Sequence, residues 1–66
     1  MCLSTVYKET QEPENILMKN VMTIECHPQE VVLTDLMGRK MTIPGILRQA
    51  NLVDGYVLVE EADEAV

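Results

Sequence analysis

The chain has 66 residues, eleven Asp or Glu against five Lys or Arg, and a formal net charge of −6, which reads as one small acidic domain. Nucleic-acid binding draws most of its affinity from Lys and Arg neutralising phosphates. Here only Arg39-Lys40 cluster, and with no Trp or Phe only Tyr7 and Tyr56 could stack on a base, so a nucleic-acid partner is disfavoured. Two cysteines exclude a disulfide-rich scaffold, and no run of about 18 apolar residues exists to cross a membrane as a helix.

A chain this short buries only roughly 60% of its unfolded surface, so it commonly needs a metal or self-association for support. No apolar run precedes Cys2, which argues against a secretory or lipoprotein signal. The expected location is cytoplasmic, with both thiols reduced.

In chain order, the hydrophobic pattern has period two, the mark of half-buried strands. Cys2-Leu3-Ser4-Thr5-Val6-Tyr7 is the first strand, followed by a turn over Gln11-Glu12-Pro13-Glu14-Asn15. Ile16-Leu17-Met18-Lys19 opens a second strand that bends at Asn20 and continues through Val21-Met22-Thr23-Ile24-Glu25-Cys26. His27-Pro28-Gln29-Glu30 turns into a third, β-branched strand, Val31-Val32-Leu33-Thr34-Asp35-Leu36, and Met37-Gly38-Arg39-Lys40 turns again. Met41-Thr42-Ile43 is expected to be short and to stop at Pro44-Gly45, two breakers; Ile46 to Val53 fits a helical turn or an extended connector. Val53-Asp54-Gly55-Tyr56 predicts a two-residue type I′ hairpin leading into the strand Tyr56-Val57-Leu58-Val59-Glu60.

Five to six short strands with tight turns predict an all-β fold, a small SH3-like or Sm-like antiparallel barrel closed so that few edges are left open. The expected domain covers residues 1–60, and residues 61–66 form an acidic tail that frays.

Cys2 is the most pointed chemical feature. From spacing alone, a strand-end side chain and a metal ligand fit it equally. As a ligand, its thiolate can act with the chain's own amine, with or without Met1, to close five-membered chelate rings. Nitrogen and sulfur donors in a plane suit Ni(II) or Cu(II), whereas a structural zinc site collects four side chains. A nucleophilic Cys2 would need a pocket and an oxyanion hole, for which so small a barrel has little room. Cys26 and His27 are the other soft-ligand pair, but adjacent strand residues point to opposite faces, so a strand-end Cys beside a solvated His is the simpler reading. The methionines read mostly as flexible core filler, and the acidic run Glu60-Glu61-Ala62-Asp63-Glu64 as a solvated end. No acid–base pair, phosphate-cradling glycine loop or triad can be assembled, so an enzyme is not expected.

Met1-Cys2-Leu3-Ser4-Thr5-Val6-Tyr7, Val32-Leu33-Thr34-Asp35-Leu36-Met37-Gly38 and Leu52-Val53-Asp54-Gly55-Tyr56-Val57-Leu58, in that order, resemble the CooT family of small nickel-binding proteins. The similarity runs over nearly the whole chain, and Met-Cys-Leu at its start is the most diagnostic part. The resemblance implies a homodimeric β-barrel that binds Ni(II) through Cys2 as a metallochaperone or store. It also implies delivery of the ion to a nickel enzyme such as carbon monoxide dehydrogenase. The alternative is an interaction module that binds RNA or protein through the Gly38-Arg39-Lys40 turn, with Cys2 structural.

Overall fold

The computed structural model describes residues 3–62. Five strands follow one another around a closed barrel: β1 (Ser4–Lys8), β2 (Ile16–Cys26), β3 (Glu30–Asp35), β4 (Lys40–Asn51) and β5 (Tyr56–Glu61). Neighbouring strands are antiparallel except the closing pair, β1 with β5, which is parallel. Strands that alternate in direction require this: the first and the fifth run the same way, so an odd-numbered meander can close only through a parallel pair. The all-β barrel expected from the sequence is therefore present, with five strands.

Two long strands each serve two neighbours, and each bends where it changes partner. The first part of β2 pairs with β1, with Met18 opposite Val6, and the second pairs with β3, with Cys26 opposite Val31. The bend is at Asn20, which takes φ 56°, a left-handed conformation that Asn tolerates better than most residues. In β4 the part up to Pro44 pairs with β3 and the part from Gly45 pairs with β5.

Pro44-Gly45 is thus a corner and not the end of a strand, and Ile46 to Asn51 is extended strand with no helical turn. Pro44 sits at the last position of the β3 ladder, opposite Glu30, and its carbonyl accepts from the Ala62 N–H at 2.7 Å. Gly45 takes φ 152°, and a Cβ there would run into the Glu60 carbonyl of β5. Breakers placed at a barrel corner bend the strand without stopping it.

The hairpin joining β4 to β5 also departs from expectation. Four residues, Leu52 to Gly55, separate the paired Asn51 and Tyr56, and of these only Gly55 has a positive φ, 80°. A short 3-10 turn at Pro13–Asn15 joins β1 to β2 where a turn was expected.

The core is Val6, Val21, Val31, Leu33, Ile43, Val57 and Val59, with Leu17, Met18 and Ile24 packed against it. It is wholly aliphatic. The methionines contribute less than expected, since among the described residues Met22, Met37 and Met41 are exposed and only Met18 packs on this core. One stretch of the inner face is left open. Leu47 stands opposite Val59 and Ala50 opposite Val57, and residues paired across a ladder share a face. Both valines are buried, yet Leu47 is 38% exposed and Ala50 is exposed.

Candidate metal centre

Cys2, the residue singled out from the sequence, lies outside the described residues, as does Met1. Their chain neighbour Leu3 is half-buried and precedes β1. Its surroundings are set by the β4–β5 loop: the Thr5 N–H donates to the Gly55 carbonyl at 3.0 Å, and a Cβ on Gly55 would stand 3.6 Å from the Leu3 carbonyl oxygen.

That loop is held by one side chain. Asn51 Oδ1 accepts from the backbone N–H groups of Val53 at 3.1 Å and Asp54 at 2.9 Å. Asn51 Nδ2 donates to Asp54 Oδ2 at 3.1 Å, and the Gly55 N–H donates to the Asn51 carbonyl at 2.9 Å. The clamp leaves Leu52 and Val53 at the tip, 74% and 94% exposed. A fixed loop with an apolar tip therefore flanks the start of β1.

The second soft-ligand pair does not assemble. Cys26 ends β2 and is exposed, while His27 places Nε2 3.3 Å from Glu25 Oε2 and gives its backbone N–H to the Glu30 carbonyl. No group of three or more His, Cys, Asp or Glu is arranged to hold a metal among the described residues. The acidic run is partly engaged: Glu60 meets Arg48 at 3.3 Å and Glu61 meets Lys8 at 3.2 Å, both near solvent.

One functional-looking group was not foreseen. Asp35, 2% exposed, is the buried ionisable side chain among the described residues. Its Oδ1 accepts from the Met37 and Arg39 N–H groups, both at 2.9 Å, and its Oδ2 accepts from Arg39 Nε at 2.8 Å. Burial pushes the carboxyl upward, but the hydrogen bonds from Arg39 and Met37 and the Arg39 charge outweigh it, leaving Asp35 below its ordinary value. The signal was in the sequence, for Asp at the first and Gly at the fourth position, as in Asp35-Leu36-Met37-Gly38, favours a type I turn. Its Arg39 is the residue offered as an RNA contact; here its Nε is already committed.

A family model described as the CO dehydrogenase accessory protein CooT matches residues 1–60. The chain belongs to the CooT family. That description is of an accessory protein to an enzyme, not of an enzyme. Among solved structures, the fold is similar to that of a protein designated CooT from Carboxydothermus hydrogenoformans, with a TM-score of 0.79 and 19% identity, over 94% of this chain and 100% of that one. No curated protein matches the chain. Among the described residues no helix is long and apolar enough to cross a membrane.

Proposed function

We propose that this CooT-family protein carries Ni(II) as cargo for a carbon monoxide dehydrogenase, holding it through the Cys2 thiolate where two copies of the chain meet. The family match over residues 1–60, which includes Cys2, carries the reading. The donor chemistry agrees with it. A thiolate with backbone nitrogens beside it discriminates against Mg²⁺ and Ca²⁺ and suits a planar ion, and sulfur from two chains completes a four-donor set that one chain lacks.

The open face of β4 supports the pairing of copies. Leu47 and Ala50 lie exposed on the core side of the sheet, and Leu52 and Val53 stand exposed at the loop beyond them. A two-fold contact across this surface would bury apolar area that a small barrel leaves in water. Because Leu3 lies against the same loop, such a contact would bring two Cys2 residues toward one axis. Binding requires loss of the thiol proton, so affinity for nickel falls as pH falls.

Native mass spectrometry of the full chain loaded with Ni(II) under reducing conditions tests this. The expected species is a dimer with one nickel and a sulfur-to-nickel charge-transfer band, and intact mass reports whether Met1 is kept. A Cys2→Ser variant that binds nickel as tightly would remove the site.

A further inference from the structure

Five basic residues stand against eleven acidic ones in the chain, yet three of the five line one groove. This open groove of about 580 Å³ lies between the β2 bend and the β3–β4 turn, walled by Lys19, Arg39 and Lys40 over Leu17, Met18 and Met41. Lys19 and Lys40 are exposed and meet no carboxylate within ion-pair distance among the described residues. Asp35, the one acid in the lining, is engaged by Arg39, whose side chain stays 76% exposed.

The geometry points to this groove as a docking surface for an acidic segment of a partner protein, one that sets carboxylates among apolar side chains. Charge complementarity selects the sign, because the cations converge in a molecule whose net charge is −6. The floor selects a peptide over a small anion. A backbone nest for a small anion needs free N–H groups, whereas the Met37 and Arg39 N–H groups in this turn are taken up by Asp35. Two thioethers and a leucine instead offer adaptable apolar contact of the kind met at peptide-binding surfaces. RNA is less suited, since no aromatic side chain lines the groove on which a base could stack. A second copy is also less suited. Its acidic corner at Glu9, Glu60 and Glu61 would dock head to tail, and such contacts form rings or open chains, not two-fold dimers.

This inference is independent of nickel, so its test runs on the metal-free full chain. A short fluorescein-labelled peptide of repeating Glu-Leu-Asp serves as probe, followed by anisotropy and by amide NMR. The expected result is saturable binding that weakens with salt, with shifts concentrated at Lys19, Asn20 and Arg39 to Met41. A Lys19→Glu/Lys40→Glu double variant binds at least about tenfold more weakly, while Arg48→Glu on the far part of β4 binds as the parent does. Unchanged melting of both variants shows that the fold is intact. The proposal is overturned by no saturable binding, by equal binding of an all-Glu peptide or of the double variant, by preference for a single-stranded RNA, or by head-to-tail assembly that the double variant abolishes.

Discussion

The barrel has two turns built on one plan with opposite chemistry. Each begins at a residue ending a strand, Asp35 for β3 and Asn51 for β4, whose side-chain oxygen accepts two backbone N–H groups of the turn ahead. Each then shows two apolar residues to solvent: Leu36 and Met37 at 52% and 76%, Leu52 and Val53 at 74% and 94%. The difference lies in what holds the clamp. Asp35 is a buried carboxylate bound to Arg39, while Asn51 is a neutral amide, half-buried, tied to Asp54. One turn is therefore held by a charged acceptor and borders the cationic groove; the other is held by a neutral acceptor and borders the start of β1.

Removing the charged clamp should have the largest effect. Asp35→Ala leaves two part-buried backbone N–H groups without their acceptor, the costly way to break a hydrogen bond, and frees the exposed Arg39 guanidinium. Its melting temperature should fall further than that of any single change in the β4–β5 loop. Asp35→Asn, which keeps the Oδ1 acceptor and loses the charge, should fall between. An alanine variant melting like the parent would mean that the turn is held by its backbone alone.

The apolar tips come next. Under the pairing proposed above, Leu52→Glu with Val53→Glu should weaken the dimer at least about tenfold, by the cost of placing like charges face to face. Leu36→Glu with Met37→Glu should leave it unchanged. Analytical ultracentrifugation reads both. If the second pair alone dissociates the dimer, the two turns have exchanged roles and the Cys2 arrangement loses its support. Smaller still is Asn51→Ala, which should cost about 1 kcal/mol, the usual net value of one hydrogen bond, because water replaces the rest at this exposed loop. Chemical denaturation measures it.

How far the sequence foretold this contrast differs between the turns, for physical reasons. Alternation of apolar residues marked β1, β2, β3 and β5 because each has one face in the core, and Asn20 was legible as a bend. Strand β4 was legible only over Met41-Thr42-Ile43, because Pro44-Gly45 breaks strands in general and only the approach of Glu60 makes it a corner here. The β4–β5 loop misled for a related reason: Asp54-Gly55 favours a two-residue turn locally, but the Asn51 side chain captures Val53 and Asp54 and lengthens it. Cys2 was singled out through the resemblance its flanking residues carry, while spacing left it open, and it lies outside the described residues. Of the cationic groove only the Arg39-Lys40 cluster was legible, since Lys19 is far from it in sequence and meets it through pairing of Val21 with Asp35.

The smallest expected effect is also the cleanest separation of the two clamps. Asp35 titrates below its ordinary value of 3.8 because the folded turn favours the charged form. Its contribution is complete above that ordinary value. It is lost as pH falls through the lowered folded-state value, where the protonated carboxyl no longer accepts fully from Met37 and Arg39. Asn51 Oδ1, the acceptor in the other clamp, has no charge to lose. An acid titration by amide NMR should therefore move the Met37 and Arg39 resonances in a step that Asp35→Asn lacks. The decisive quantity is the difference between the parent and Asp35→Asn. If that difference vanishes, the charge on Asp35 does not hold its turn, and the two clamps are one device.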